Sequence, residues 1–316
     1  MRLIRGLYNL PAAAGRVVSI GNFDGVHRGH QALLTRLVAC AREQNLSSTV
    51  LLFEPQPLEF FLADQAPARL MRWHDKFEAI RDLGVDEILV LRFDARLRAL
   101  SAEAFVTQVL QRIACRWLIV GDDFRFGCDR QGDFAYLQRA GGSAGFVVQD
   151  SASIQVQGQR VSSTLLREAL AMADFARVRA YLGHDFCISG RVMRGDQLGR
   201  QLGFPTANLQ LRRQVWPLAG VYVVRVDGAD AQARDGVANI GVRPTIAGVS
   251  PRLEVHLLDY AADLYGRRLR VSFLGKLRDE RQFAGLPQLV AAIGRDVEQA
   301  REFLSNRATL APDENV

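Results

Sequence analysis

Lysine is almost absent from this 316-residue chain, whose 40 basic residues include only two lysines, Lys76 and Lys276. The other basic side chains are arginines, and the planar guanidinium of arginine suits bidentate contact with phosphate. The net charge is +6, but no long run of like charge occurs, so a nucleic-acid-binding tail is not indicated. We expect no nucleic-acid partner, and we expect most of the arginines to lie on ordinary surface.

Cysteine pairs, long apolar runs and targeting signals are also lacking. The four cysteines have neither metal-type spacing nor the pattern of a disulfide framework, which favours a reduced, cytoplasmic setting. No segment approaches the length of a transmembrane helix, and Arg5, Asn9 and Pro11 interrupt the apolar start in a way that a signal peptide would not. We therefore expect a cytoplasmic protein without a membrane partner, and the oligomeric state stays open.

The P-loop signature G-x-x-x-x-G-K-[ST] is absent, which argues against ordinary P-loop chemistry. Near the N-terminus an apolar run, residues 16–20, precedes a glycine-rich turn, residues 21–30, and an amphipathic run, residues 31–38. This pattern indicates a strand, a tight turn and a helix. Two of the five histidines, His27 and His30, lie where the turn becomes the helix. Because a helix start offers unpaired N–H groups and a positive dipole end, we expect this turn to hold a phosphate, with both histidines as protonatable donors.

The first half of the chain alternates strand patterns with helix patterns. Strands are predicted at 48–53, 87–91, 117–120 and 145–148, and helices at 72–83, 101–114 and 163–181. Such alternation predicts an α/β fold, a Rossmann-like parallel sheet with helices on both faces, in which ligands bind at the carboxyl ends of the strands. Ser101 is the expected N-cap of the helix at 101–114.

The pattern changes near residue 183 to short alternating runs divided by Gly, Asp and Pro. Strands are predicted at 187–192, 220–226, 236–240, 253–258 and 269–274, and one helix at 286–304, with a frayed tail from Ser305. This pattern predicts a small antiparallel β-barrel followed by a C-terminal helix. We therefore predict two domains, residues 1–182 and 183–316.

Two further segments of the first half lie at predicted strand or helix ends. Residues 121–127, G-D-D-F-R-F-G, follow a strand directly, and taken alone they fit a surface loop with an aromatic pair as well as a ligand site. Residues 162–167, S-S-T-L-L-R, open a helix, where hydroxyl side chains commonly serve as caps. The cap and a phosphate site are compatible interpretations, because hydroxyls and N–H groups at a helix start also bind phosphate.

These segments together resemble one family. The string G-N-F-D-G-V-H-x-G-H at residues 21–30 is similar to the amino-terminal, nucleotidyltransferase domain of the bacterial bifunctional riboflavin kinase/FMN adenylyltransferase (FAD synthetase) family. The family motifs G-x-[ND]-F-x-F-G and S-S-T-x-x-R match residues 121–127 and 162–167. The resemblance implies that His27, His30 and Arg167 position ATP phosphates and stabilise their charge. It also implies ATP contacts by a larger set: Gly21, Asn22, Phe23, Asp24, Gly29, Asp123, Phe124, Ser162, Ser163 and Thr164.

Two positions qualify this resemblance. Leu165 and Leu166 stand where many members have Arg-Ile, which removes a possible extra cation. Asp123 stands at the Asn/Asp position, where a carboxylate beside phosphates is unfavourable unless it binds ribose hydroxyls or a metal. The role of Asp123 therefore stays open.

The second half carries a separate resemblance, to the flavokinase domain of the same family. Its glycine-rich loop ends in P-T-A-N at residues 205–208, and the resemblance implies that Thr206 and Asn208 hold Mg²⁺-ATP. Gly195 and Arg200 match positions that contact the nucleotide phosphates. Alternation alone places Glu254 on a solvent-facing side of its strand, opposite Leu253, Val255 and Leu257, whereas the family motif E-x-H makes it the proposed catalytic base.

Further matches to the flavokinase domain lie at residues 236–245, 264–266 and 277–283. Within the last of these, Arg278 is a candidate contact for a flavin or nucleotide phosphate, and ordinary surface placement fits it equally well.

Taken together, the resemblance implies two reactions: ATP-dependent phosphorylation of riboflavin to FMN in the C-terminal domain, and adenylylation of FMN by ATP to FAD in the N-terminal domain. The expected ligands are riboflavin, FMN, ATP and Mg²⁺. Two alternatives stay open. A class I aminoacyl-tRNA synthetase-like enzyme shares the H-x-G-H turn but usually shows a lysine-rich second signature that is missing here. Another nucleotidyltransferase fused to a non-catalytic nucleic-acid-binding barrel would show exposed aromatics between basic residues, for which residues 221–226 offer a thin version.

Overall fold

The structure is a computed structural model that describes residues 1–151, 154–156, 158–195, 198–210, 215–245 and 248–310. The chain forms two compact units, the first comprising Met1–Pro67 and Trp73–Ser163, the second comprising Ala68–Arg72 and the chain from Thr164 onward. The predicted division into domains at residues 1–182 and 183–316 stays a prediction.

The first unit contains a six-stranded sheet in which all neighbouring strands are parallel. Its strands are β1 (Arg2–Arg5), β2 (Arg16–Ile20), β3 (Ser47–Glu54), β4 (Glu87–Arg92), β5 (Cys115–Val120) and β6 (Val147–Asp150). The order β1-β4-β3-β2-β5-β6 places β2 between the two halves of the sheet, where the direction of strand addition reverses. Ligands of open parallel sheets bind at such a switch point, beyond the carboxyl ends of the strands. The predicted parallel sheet is confirmed, with β1 as an unpredicted edge strand.

The helices of the first unit connect these strands. They are α1 (Arg28–Glu43), α2 (Pro57–Leu62), α3 (Trp73–Asp82), α4 (Ala95–Arg98), α5 (Ala102–Phe105) and α6 (Phe134–Ala144). Ser101 caps α5 as predicted, since its hydroxyl accepts a hydrogen bond from the N–H of Ala104 at 3.0 Å. The helix predicted at 101–114 is present from Ala102 to Gln111, but it is α-helical only to Phe105 and continues as a π-helical segment, Val106–Gln111. Two short strands, β7 (Gln155–Val156) and β8 (Gln159–Arg160), form a hairpin near the end of the unit.

The second unit begins with two helices, α7 (Ser163–Ala171) and α8 (Phe175–Leu182). The uninterrupted helix predicted at 163–181 is wrong, because Ala173 adopts a left-handed φ of 55° and Asp174 starts a new helix. The Asp174 carboxylate accepts a hydrogen bond from the N–H of Arg177 at 3.0 Å, an N-cap contact that competes with continuing the first helix.

The remainder of the second unit is a closed six-stranded antiparallel barrel, as predicted. Its elements are β9 (Phe186–Met193), α9 (Leu198–Gln201), β10 (Ala207–Gln210), β11 (Gly220–Asp227), β12 (Arg234–Thr245), β13 (Gly248–Leu257), β14 (Arg268–Arg278) and α10 (Leu286–Leu310). The strands close in the order β10-β13-β12-β11-β14-β9. The fraying predicted from Ser305 is wrong over residues 305–310, because α10 continues to Leu310 and the Ser305 hydroxyl donates to the Arg301 carbonyl at 2.9 Å. The rest of the predicted tail, residues 311–316, lies outside the described residues.

Candidate active sites

The glycine-rich turn leaves the carboxyl end of β2 with an unusual backbone. Gly25 has a φ of 86°, and the non-glycine residues Phe23 and Val26 also have positive φ values, 46° and 39°. A β-branched residue rarely adopts such a φ, and strained backbone of this kind persists only where its surroundings hold it. Phe23, Asp24 and Val26 are buried, so the turn is packed rather than loose.

His27 and His30 form a stacked pair at the start of α1. His27 is the N-cap, and its Nδ1 accepts a hydrogen bond from the His30 N–H at 3.3 Å. The two rings stack with centroids 3.7 Å apart and an interplanar angle of 17°. Gly29 makes this possible, because a Cβ there would lie 3.2 Å from His27 Nδ1. Since Nδ1 of His27 accepts, its proton lies on Nε2, where it can be donated to a ligand.

Burial keeps both imidazoles neutral. Desolvation lowers the pKa of His27 to about 4, although its own backbone hydrogen bond and the charge of Asp24 act in the opposite direction. Desolvation also lowers the pKa of His30 well below its usual range, and the charges of His27 and Lys76 add to this shift. The predicted pair of protonatable donors is therefore a pair of neutral N–H donors at neutral pH.

This neutrality predicts a pH dependence of stability. Between the ordinary pKa of 6.5 and the folded value of about 4, the unfolded chain binds a proton at His27 that the folded chain does not. The free energy of unfolding therefore falls as the pH is lowered through this window, by about 1.4 kcal/mol per pH unit for each histidine that stays neutral. Urea unfolding at several pH values should show a smaller loss for His27→Gln than for the wild type. Equal losses would contradict the neutral state.

The start of the S-S-T segment lies against this turn within the first unit. The Ser163 hydroxyl donates to the Asp24 carbonyl at 2.9 Å, and a Cβ on Gly29 would lie 3.6 Å from the Val161 carbonyl oxygen. Ser162 and Ser163 are half-buried and Thr164 is exposed. Arg167 lies in the second unit, where its Nε donates to the Ala68 carbonyl at 2.6 Å.

The loop after β5 places Asp123 in an ion pair that the sequence did not reveal. Arg160, on β8, donates to Asp122 at 2.8 Å and to Asp123 at 3.1 Å. Phe124 stacks on buried Phe126 with ring centroids 5.8 Å apart. Arg160 therefore offsets the negative charge that made Asp123 difficult to interpret. The signal available in the sequence was an arginine two residues before the S-S-T segment.

An exposed aromatic cluster lies beyond the carboxyl ends of β3 and β4. Phe60 and Phe61 of α2 are 38% and 53% exposed, and both contact Phe93, which follows β4, at centroid distances of 5.4 Å and 5.9 Å. Phe93 also contacts Phe53, near the end of β3, at 5.8 Å. This cluster was not predicted from the sequence, although the adjacent phenylalanines in the segment P-L-E-F-F-L, residues 57–62, were a visible signal.

In the barrel, three polar side chains lie in one row across neighbouring strands. Glu254 on β13 pairs in register with Asn208 on β10 and with Asn239 on β12. Directly opposed residues have Cβ atoms about 4.5–5.5 Å apart, so these three side chains are neighbours. Within the described part of the chain, Asn208 Oδ1 and Asn239 Oδ1 are buried without a hydrogen-bond partner. Asn239 was missed, although it lies in the segment 236–245 that matched the family.

The predicted alternation along β13 is confirmed, because Leu253, Val255 and Leu257 are buried. Glu254 and His256 lie half-buried on the opposite side.

The glycine-rich loop before β10 packs closely against both predicted magnesium ligands, Thr206 and Asn208. A Cβ on Gly195 would lie 2.7 Å from Asn208 Cγ, and a Cβ on Gly199 would lie 3.2 Å from Thr206 Oγ1. Positions 196 and 197 of this loop are outside the described residues. The ring of His256 anchors the P-T-A-N end, since its Nδ1 donates to the Pro205 carbonyl at 2.9 Å.

A pocket adjoins this loop. Its lining includes Arg200, Thr206, Leu257, Leu264 and Tyr265. Arg200 and Thr206 therefore face the same cavity, as a shared nucleotide site would require.

The close packing of the loop predicts the effect of Gly195→Ala. The added methyl group cannot be accommodated without moving the Asn208 amide, so we expect riboflavin phosphorylation to fall by about tenfold or more, because misplaced binding groups lose this much. FMN adenylylation should be unchanged. Gly294→Ala, on α10, is the matched control, because nothing lies within 4 Å of a Cβ there. Equal kinase rates for the two variants would contradict the described packing.

Arg278 is not brought to this row. It lies on β14, which is not a neighbour of β13, and it forms a two-pronged ion pair with Asp296 of α10 at 2.8 Å and 2.7 Å. Its role as a phosphate contact stays a prediction.

Comparison with known proteins places the two sites in two family segments. Residues 10–165 match the family model of FAD synthetase, and residues 182–304 match that of riboflavin kinase. The chain belongs to the bifunctional riboflavin kinase/FMN adenylyltransferase family.

Relatives with that name match over nearly their full length. The protein of Escherichia coli (strain K12) is 52% identical over 96% of this chain and 98% of its own, and that of Pseudomonas fluorescens is 54% identical over 98% and 99%. The Haemophilus influenzae relative is 46% identical over 97% of this chain and its own entire length. The predicted family and the order of its two segments are confirmed.

A solved structure described as a macrolide-efflux protein from Streptococcus pneumoniae shares the fold, with a TM-score of 0.80 and 27% identity over 95% of this chain and 98% of its own. That description applies to the streptococcal protein. In the chain described here, none of the described helices is long and apolar enough to cross a membrane.

Proposed function

We propose that this chain converts riboflavin into FMN in the barrel and FMN into FAD at the histidine turn, in the cytoplasm, with ATP as co-substrate of both steps. The proposal rests on the observation that each matched family segment contains its own cluster of candidate site residues. The riboflavin kinase segment contains the row of Asn208, Glu254 and Asn239, and the FAD synthetase segment contains the stacked His27 and His30.

In the kinase step, Glu254 acts as general base. Its carboxylate accepts the proton of the terminal ribityl hydroxyl, whose oxygen attacks the γ-phosphorus of ATP while the bond to the β-phosphate oxygen breaks and ADP leaves. Asn239 lies beside Glu254, and its buried amide oxygen, which has no partner among the described residues, can accept a hydrogen bond from a flavin hydroxyl. Arg200 and the backbone at Gly195 contact the ATP phosphates.

Magnesium fits the residues of the barrel site. The Asn208 Oδ1 is buried without a partner among the described residues, and the Thr206 hydroxyl lies two positions before it at the wall of the pocket. Oxygen donors with waters and phosphates completing the shell are what Mg²⁺ prefers. When bound, the ion supplies positive charge to the transferring phosphate.

In the adenylylation step, an oxygen of the FMN phosphate attacks the α-phosphorus of ATP and pyrophosphate leaves. This phosphate is already ionised, so no protein nucleophile is required. The helix start of α1 and the neutral N–H groups of His27 and His30 hold the triphosphate and stabilise charge that develops on it. Ser163 is a further proposed phosphate contact, the family motif proposes the same role for Arg167, and the cluster of Phe60, Phe61 and Phe93 offers apolar area for the planar flavin ring.

The test is incubation of the purified chain with riboflavin, ATP and Mg²⁺, followed by chromatography of the flavins. The proposal predicts FMN first and FAD later, and it predicts FAD without delay when FMN replaces riboflavin. Accumulation of FMN with no FAD would contradict the role proposed for the histidine turn. Conversion of supplied FMN to FAD with no phosphorylation of riboflavin would contradict the role proposed for the barrel.

A further inference from the structure

Lys76 is a buried basic side chain in the first unit that neither the motifs nor the proposed mechanism use. It lies on α3, where it is 3% exposed and shares the buried face with Ile80. It is one of only two lysines in the chain. An ammonium removed from water is costly unless partner groups compensate it, so its partners indicate what it does.

One partner belongs to the histidine turn. Lys76 Nζ donates to the Asn22 carbonyl at 2.7 Å, and Asn22 directly precedes Phe23, the first residue of the turn with a left-handed φ. Lys76 also lies near enough to His30 for its charge to lower the pKa of that ring. The ammonium therefore touches the backbone of the turn on one side and acts electrostatically on its second histidine.

The charge balance of the turn gives this contact a consequence. His27 and His30 are neutral at neutral pH, so they offer N–H groups to a polyphosphate but little positive charge. A triphosphate carries several negative charges, and in a site shielded from water a fixed cation stabilises them far more than it would in bulk solvent. Lys76 provides such a cation against the backbone of the turn.

We propose that Lys76 is a positioning residue of the adenylyl-transfer site, which holds the Asn22 carbonyl, and with it the strained turn, in the conformation that receives the ATP phosphates and supplies fixed positive charge at the backbone of the turn. The inference rests on the function proposed for the first unit. It explains how the backbone at Phe23 and Val26 is kept in place, because such strain persists only when neighbouring groups over-determine it.

Two substitutions separate the hydrogen bond from the charge. Lys76→Met removes both in a side chain of similar length, whereas Lys76→Gln keeps an N–H donor and removes the charge. For FMN adenylylation we expect Lys76→Met to lower kcat/KM by about 100-fold, the loss typical of a displaced binding group, with kcat falling as well as KM for ATP rising. Lys76→Gln should recover part of the loss in kcat only.

Riboflavin phosphorylation by the same variants is the internal control, and we expect it to be unchanged. Lys276→Met is the matched control for adenylylation, because Lys276 lies on β14 in an ion pair with the exposed Asp279. Wild-type adenylylation by Lys76→Met would overturn the inference. A parallel loss of both activities and of thermal stability would also overturn it, because that result indicates a purely structural role. Failure of the wild-type chain itself to form FAD would instead identify the proposed function as the error.

Discussion

Riboflavin phosphorylation is expected to fall by about 10²–10⁴-fold when Glu254 is replaced by glutamine, because this is the range that a positioned general base contributes. The amide keeps the size of the side chain but cannot accept the proton of the ribityl hydroxyl. FAD formation from supplied FMN should continue at the wild-type rate. Both rates can be followed in one preparation by chromatography of FMN and FAD.

The matched control is Asp235→Asn, which removes a carboxylate from β12, a strand adjacent to that of Glu254. Asp235 forms a surface ion pair with Arg225 at 3.1 Å and is absent from the polar row. We expect both activities of this variant to be unchanged. If Glu254→Gln lost adenylylation together with phosphorylation, or kept phosphorylation, the assignment of the base would be wrong.

FAD formation from FMN is expected to fall by about 10²–10³-fold in His30→Ala, the loss typical for removal of one donor to developing phosphate charge. The substitution also removes the stacking contact that orients His27, whose ring lies 3.7 Å from that of His30. Riboflavin phosphorylation should be unchanged, because the kinase site is built from residues of the barrel. The rate of pyrophosphate release with FMN and ATP measures the effect directly.

His74→Ala is the control for this variant. His74 lies in the same unit, but its side chain is 55% exposed and pairs with Glu78 on the surface of α3. We expect it to leave both activities unchanged. Wild-type adenylylation by His30→Ala would exclude the histidine turn as the phosphate site.

Much of the fold could be predicted because its determinants are local. Strand and helix patterns alternate in the first half and give way to short alternating runs in the second, and each pattern specifies its own sheet type. The errors occurred where hydrophobic periodicity does not determine the local structure. The edge strand β1 is fixed by pairing with β4, and neither the π-helical segment after Phe105 nor the break at Ala173 follows from hydrophobic periodicity.

The candidate sites, like the fold, could be predicted only in part. The histidines, the P-T-A-N segment and Glu254 follow from motifs, but the neutral state of His27 follows from burial, which a motif does not report. Lys76 and Asn239 reach their sites through a helix and a strand register that bring together residues distant in sequence.

The most direct test of two independent active sites in one chain is a mixing experiment. Glu254→Gln and His30→Ala are each incubated with riboflavin, ATP and Mg²⁺, alone and together, and FAD is quantified by chromatography. Each variant alone should form almost no FAD, whereas the mixture should form it readily, because His30→Ala supplies FMN that Glu254→Gln adenylylates. A mixture that forms no more FAD than the separate variants would contradict the division of the two reactions between the two sites.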